Sequence, residues 1–370
     1  MEDLGLKSLF GKVYQNKKVL ITGHSGFKGS WLALWLVHLG AKVVGYSLGA
    51  PSVPSHFELL NLKIRSLTGD IRDRGQVEKT VRDHEPDIIF HLAAQPLVLR
   101  SYQNPQETFE TNMMGAVNVL EACRRAPGVR ALINITSDKC YENRETAAAY
   151  REEDRLGGRD PYSASKACSE LITEAYRKSF FELSAKRKNP ALLVASVRAG
   201  NVIGGGDWAE NRLFPDVMRA VSKNERTVIR SPWATRPWQH VLEPLSGYLL
   251  LGQKLLEGKS NCASAWNFSP PGNASLHVID ILRLMQKEWP EIKYRLNKGK
   301  LLSHEAQLLQ LSSRKAHSEL CWRSVWNIPQ SVQKTVAWYK DFYSQRVLNS
   351  QRDLCDYVQD ARRKKIKWAS

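Results

Sequence analysis

An apolar run, Val19-Leu20-Ile21, reaches Thr22 and gives way to three glycines at three-residue intervals, Gly23, Gly26 and Gly29. A helical pattern, Trp31-Leu32-Ala33-Leu34-Trp35-Leu36, begins at once. A strand, a turn without Cβ atoms and a helix N-terminus leave free backbone N–H groups and the positive end of the helix dipole facing one spot. That spot suits a pyrophosphate. The stretch therefore predicts the first crossover of an α/β sheet that binds a dinucleotide. Gly23, Ser25, Gly26, Phe27, Lys28 and Gly29 are the expected contacts, with Lys28 adding charge.

Strands and helices then alternate. Lys42 to Tyr46 reads as a second strand, and Leu67 to Ile71 as the end of a third, where Asp70 can accept from an adenine amine beside Ile71. Asp87 to Ala94 is an apolar strand running into Leu92, Ala93 and Ala94, small enough there for a ligand to lie against the backbone. A long helix is expected over Asn104 to Arg125, strands over Ala131–Ile135 and Leu192–Val197, and a helix opened by Asp160-Pro161. Apolar strands separated by helix-length segments predict a doubly wound parallel sheet covered on both faces. From Ala199 the regularity breaks at Gly204-Gly205-Gly206-Asp207-Trp208, and tryptophans gather at Trp233, Trp238, Trp266, Trp289, Trp322 and Trp326. Residues 1–198 are expected to bind the dinucleotide. Residues 199–345 read as a smaller, interwoven substrate region with late pieces of the sheet domain, and 346–370 as a basic, solvated tail ending in Arg362-Arg363-Lys364-Lys365.

A net charge of +17 favours anionic ligands. No basic segment carries interleaved aromatics, so phosphorylated small molecules are expected rather than nucleic acid. The six cysteines form no C-x-x-C pair, which predicts reduced thiols and no metal site. Met1 to Gln15 lacks the apolar core of a signal peptide, and the most apolar stretch, Trp31 to Tyr46, is too short to span a bilayer. A cytoplasmic protein without membrane attachment is the expectation.

Two segments carry the chemistry. Tyr162-Ser163-Ala164-Ser165-Lys166 puts a phenol and an ammonium one helical turn apart on one face. A cation beside a phenol favours the phenolate and makes it a usable base for a sugar hydroxyl. Upstream, Thr136-Ser137-Asp138-Lys139 follows a strand end, where ligands of doubly wound sheets sit. Ser137 can orient the hydroxyl that Tyr162 deprotonates.

The glycine turn, the Ser137/Tyr162/Lys166 set and Arg198-Ala199-Gly200-Asn201-Val202-Ile203-Gly204 resemble the extended short-chain dehydrogenase/reductases that act on nucleotide sugars. His91-Leu92-Ala93-Ala94-Gln95-Pro96, Thr136 to Asn143, Gly204 to Trp208 and Thr235 to Val241 narrow the resemblance to 4,6-dehydratases, from Phe10 to about Tyr343. The resemblance implies a Rossmann-type domain, bound NAD, CDP-glucose as the partner, and a homodimer or homotetramer. It implies oxidation at C4, loss of water across C5 and C6, and hydride return to C6. In that scheme Asp138 protonates the departing hydroxyl and Lys139 acts at C5, either as the base or by steadying the enolate. Gln95, Asn201, Arg230 and Arg236 become candidate substrate contacts, the arginines as forks for phosphate oxygens. Asp138 and Lys139 can serve one sugar only if the chain turns there. One departure stands out: Gly49 occupies a position where the family often has Asp, and no carboxylate lies near Ser47 to hold the adenosine ribose. A 4-epimerase, a dehydratase for another nucleotide glucose, and a non-catalytic cofactor sensor are the alternatives.

Overall fold

The computed structural model describes residues 5–146, 148–182, 192–270, 276–297 and 308–370. Its frame is a seven-stranded sheet. In chain order the strands are β1 (Lys18–Thr22), β2 (Lys42–Ser47), β3 (Arg65–Thr68), β4 (Ile88–His91), β5 (Ala131–Ile135), β6 (Leu193–Ala199) and, after four short strands, β11 (Ala265–Phe268). They lie in the order β11-β6-β5-β4-β1-β2-β3, every neighbouring pair parallel. The expected doubly wound sheet is present. The order reverses between β1 and β4, and the crevice beyond their carboxyl ends is where such sheets bind ligands.

Helices cover both faces: α1 (Phe27–His38), α2 (His56–Leu60), α3 (Arg74–His84), α4 (Val98–Gln103), α5 (Pro105–Phe109), α6 (Gly115–Arg125) and α7 (Pro161–Tyr176). Near-continuous apolar strands make this possible; β4, β5 and the last four residues of β1 are buried throughout. The helix expected over Asn104–Arg125 is interrupted by a π turn at Glu110–Met114. The third strand ends at Thr68, earlier than its sequence suggests, because Gly69 and Asp70 belong to the loop.

The remaining short strands pair as β7 (Val202–Ile203) with β10 (Gln239–His240), β8 (Arg226–Ile229) with β13 (Lys293–Leu296), and β9 (Thr235–Arg236) with β12 (Leu276–His277). Ile203 of β7 and Ile229 of β8 join a second apolar cluster built on Trp208, Phe214, Trp238, Ile281, Trp338 and Tyr339, with Leu276 of β12 and Tyr294 of β13 packed against it.

The tail expected after residue 346 is not solvated. Ser350–Arg363 is a helix whose Leu354, Tyr357, Val358 and Ala361 are buried in the main core, with Trp368 stacked on Phe10 at 5.1 Å. Its basic residues sit on the outer side of an amphipathic helix. Among the described residues no helix is long and apolar enough to cross a membrane, and no His/Cys/Asp/Glu group is arranged to hold a metal ion.

Candidate active site

The three glycines do different work. Gly23 has φ +76°, and a Cβ there would stand 2.7 Å from the Ala93 nitrogen, so β1 and the segment after β4 cross in contact. A Cβ on Gly29 would come 2.1 Å from the Gly23 carbonyl, so Gly29 lets α1 pack down on the turn. Gly26, the N-cap of α1, is different. Its backbone is extended (φ −74°, ψ 169°), and the nearest atom to an added Cβ is an ordinary contact at 3.4 Å. Nothing in the described protein requires glycine at 26, and no side chain caps the helix there. The space in front of it is suited to a phosphate.

Around this cradle, Leu92, Ala93 and Ala94 follow β4, with the Leu92 and Ala93 nitrogens donating to Thr22. Ile71 is buried against Gly115. Asp70 accepts from the Arg72 guanidinium, which holds its carboxyl below the usual range, so any adenine amine shares an acceptor already in use. Where an acid would meet the adenosine ribose, the chain has an uncharged relay instead. Ser47 Oγ donates to Ser25 Oγ at 2.9 Å and lies 3.0 Å from His24 Nδ1, while His24 Nε2 meets Ser66 Oγ at 2.7 Å. Burial lowers His24 to about 4, so it is neutral near pH 7.

The catalytic candidates converge at the ends of β5 and β4. Just past β5 the chain turns, as their adjacency demands: Asp138–Cys140 is one 3₁₀ turn, and Ser137 Oγ accepts from the Lys139 nitrogen. Ser137 also donates to Asp138 Oδ1 at 3.0 Å, and Lys139 Nζ is 3.2 Å from the same oxygen. Asp138 is buried, and its Oδ2 has no hydrogen-bond partner among the described residues. Opposite stands Tyr162, whose backbone nitrogen donates to Ser101 Oγ in an α7 capped by Asp160. Burial pushes the phenol up to about 12, against a lowering hydrogen bond with Ser137.

Lys166 is not hydrogen-bonded to the phenol. It donates to the Ile135 carbonyl at 3.3 Å, and burial brings it down to about 8. The cation the sequence did not reveal is Arg212. It pairs with Asp207 at 2.9 Å, and its charge lowers both Tyr162 and Lys28. Lys28 is correspondingly brought to about 8, first by burial, then by Arg212 and Lys166. It therefore sits in the field of the catalytic cations as well as beside the glycine turn.

The candidate substrate contacts separate. Gln95 is turned inward: its amide donates to Leu97 and Thr108 and accepts from the Leu97 nitrogen. Its backbone is gripped on both sides by Asn112, from the π turn, whose amide also donates to Ser165 on α7. Asn112 could not be singled out from the sequence, because a π turn has no distinct apolar period. The Asn201 carbonyl accepts from the Gln239 nitrogen, three residues from buried Arg236, so these two lie on adjoining segments. Arg230 is exposed and donates to the Asn211 carbonyl, next to Arg212.

A parallel sheet with a glycine-turn crevice, and Ser137, Tyr162 and Lys166 gathered at its strand ends, is the arrangement of the extended short-chain dehydrogenase/reductases. Residues 20–335 match the GDP-mannose 4,6 dehydratase family, and the chain belongs to it. It is 45% identical over 349 residues, 93% of this chain and 97% of the other, to the CDP-glucose 4,6-dehydratase of Salmonella typhimurium. The fold is shared with a dTDP-glucose 4,6-dehydratase of Streptomyces venezuelae solved with NAD and TYD (TM-score 0.73, 22% identity, 88% and 97% of the two chains). It is shared equally with a UDP-glucose 4-epimerase of Thermus thermophilus in complex with NAD (TM-score 0.74, 22% identity, 87% and 99%).

Proposed function

We propose that the protein is a CDP-glucose 4,6-dehydratase that uses bound NAD to convert CDP-glucose to CDP-4-dehydro-6-deoxyglucose. The observation that carries the reading is the turn at Asp138–Cys140, which sets Asp138 and Lys139 as an acid–base pair directly after Ser137, with the Ser137 hydroxyl and the Lys139 amine both on Asp138 Oδ1. A 4-epimerase needs the serine, tyrosine and lysine but has no use for the added pair. The 45% identity to the Salmonella enzyme supports CDP-glucose over other nucleotide glucoses. In this reading 1–198 hold the cofactor, 199–345 cover the sugar nucleotide, and the enzyme works as a homodimer.

The residues present fit NAD: at Gly26 a Cβ would meet the protein only in an ordinary 3.4 Å contact with the Gly23 carbonyl, so the space before it is open to a ligand. The α1 N-terminus and the Gly23–Gly29 turn would hold the pyrophosphate, with Leu92 to Ala94 along the nucleotide. When bound, NAD supplies the hydride acceptor for C4 and the hydride donor for C6. Tyr162, with Ser137 orienting the C4 hydroxyl, takes the hydroxyl proton as a ketone forms. The ketone acidifies the C5 proton, which Lys139 is placed to take or whose enolate it steadies. Asp138 delivers a proton to the departing C6 hydroxyl from the buried side of the turn. Arg236 and Arg230 are the candidate forks for the diphosphate, with Arg212 adding positive charge near Tyr162 and Lys28.

Incubation with CDP-, dTDP-, GDP- and UDP-glucose tests the reading. Only CDP-glucose is expected to give the ultraviolet absorbance of a 4-keto-6-deoxy product in base; equal turnover of another nucleotide or a 4-epimer product overturns it. Tyr162→Phe should keep substrate binding while kcat falls about a hundredfold or more.

A further inference from the structure

One helical turn beyond Lys166 on α7 lies Glu170, which the chemistry above does not use. Its side chain is 2% exposed. One carboxylate oxygen accepts from Thr136 Oγ1; the other accepts from Ser196 Oγ at 2.6 Å and from Arg198 Nη2 at 2.8 Å. Arg198 Nη1 donates onward to the Tyr141 hydroxyl at 2.6 Å, and its guanidinium lies 4.8 Å from the centre of the Tyr141 ring. Thr136 and Tyr141 flank the Ser137–Cys140 segment on either side. A single carboxylate thus ties the helix carrying Tyr162 and Lys166 to the turn carrying Ser137, Asp138 and Lys139, with β6 behind both.

The charges facing Lys166 single out the same residue. Burial disfavours its ammonium; Glu170 and Cys140 act the other way. Cys140 is buried and its thiol is pushed well up, so it is uncharged at neutral pH. His91, on β4, is driven by burial and then by Lys166 itself to about 3, so it too is neutral. Lys28, on α1, is a like charge in the same field. Burial works against Glu170 as well, yet Arg198 and the hydroxyl donors hold its carboxyl below the usual range. Among the described residues, Glu170 is the one anion that opposes the loss of charge on Lys166.

We infer that Glu170, held by Arg198, is a positioning residue that keeps Lys166 an ammonium and locks the Tyr162 helix to the Ser137–Lys139 turn. The inference rests on the reading of Tyr162 and Lys166 as the working pair. A purely structural Glu170 would be replaceable by an isosteric neutral side chain without changing how Lys166 titrates. A charge-bearing one is not, since removing an opposing charge within one helical turn lets burial win.

The test is a titration of the full-length enzyme labelled with ¹⁵N-lysine, the Lys166 amine resonance being assigned by its loss in Lys166→Arg. In Glu170→Gln the Lys166 midpoint should fall by about one pH unit or more, and the alkaline limb of kcat/KM should move down with it. An unmoved midpoint in folded Glu170→Gln overturns the inference. Glu170→Asp keeps the charge on a shorter stem and should leave the midpoint near that of the parent; a downward shift of about one unit there overturns it too, and this variant decides alone if Glu170→Gln does not fold. The titration needs no turnover, so an inactive parent enzyme would count against the dehydratase reading and not against this one.

Discussion

Two glycine clusters in this chain look alike on paper and differ in space. At Gly23, Gly26 and Gly29, two glycines are required by backbone crossing and the third by nothing in the described protein. At Gly204, Gly205 and Gly206, every position is claimed from within. A Cβ on Gly204 would meet Val241 at 2.9 Å, one on Gly205 would stand 2.0 Å from the Trp338 ring, and Gly206 (φ +84°) is pressed by His56 at 2.5 Å. Trp31 closes that seam by donating from Nε1 to the Gly205 carbonyl at 2.9 Å. A glycine that its own protein does not need points to a ligand; one crowded by rings reports packing. Spacing alone does not separate the two.

The largest effect expected from this contrast is at Gly205. Gly205→Val forces a side chain into the Trp338 ring and should cost about 4 kcal/mol or more, seen as loss of cooperative thermal unfolding or of soluble protein. A stable Gly205→Val would erase the distinction between the clusters.

Next comes acidity, which should act on the two regions unequally. His24 and His91 flank the glycine turn and are lowered by burial to about 4 and about 3. His56 and His240 lie in the seam, both lowered by burial to about 3. A histidine with a depressed folded pKa contributes stability present above its unfolded value and lost as pH falls toward the folded one. The seam also holds Glu243 and Asp353, both raised by burial to about 7, and these gain stability over the same fall in pH. Two against two, the seam cancels. The turn side does not cancel, so from about pH 6.5 to 4.5 unfolding free energy should drop by up to ~3 kcal/mol per pH unit, two groups at ~1.4 each. Denaturant titrations at pH 7, 6 and 5 measure it; His24→Gln should roughly halve the slope, and a flat profile would refute the asymmetry.

Gly26→Val should leave unfolding free energy within about 1 kcal/mol of the parent and reduce NAD affinity about a hundredfold or more, about 2.7 kcal/mol, because the added atoms fill only the phosphate approach. Calorimetric titration with NAD, beside a thermal melt, reads both quantities. Normal NAD binding would move the cradle elsewhere.

The smallest effect belongs to Ser350, whose hydroxyl meets His56 Nε2 at 2.8 Å and accepts from Trp338 Nε1 at 2.9 Å. Ser350→Ala strands both groups and should cost about 1–3 kcal/mol with NAD affinity unchanged.

Residues whose chemistry depends on local spacing were readable in advance. The glycine turn, the strand run before it, the Tyr162/Lys166 helix and the turn after β5 all declare themselves within a dozen positions. Arg212, Asn112 and the Glu170–Arg198 pair do not, because each acts across the fold on a group 28 to 53 positions away. The expected direct influence of Lys166 on Tyr162 was overstated for a related reason: helical spacing sets which face a side chain occupies, while the Ile135 carbonyl decides where its ammonium goes. The terminal basic run misled by its charge, although Leu354, Tyr357, Val358 and Ala361 already marked the buried face of a helix.

That helix has a consequence for how the core is put together. Arg362 reaches the Gly5 carbonyl at 3.3 Å across 357 positions, and Phe10 lies against Trp368. The core under β1 and α1 is therefore closed by residues more than 300 positions later in the sequence. Phe10 and Trp35 are sheltered by residues brought from far along the sequence, Trp368 and Tyr357 among them, so this core is assembled from contacts of long sequence separation.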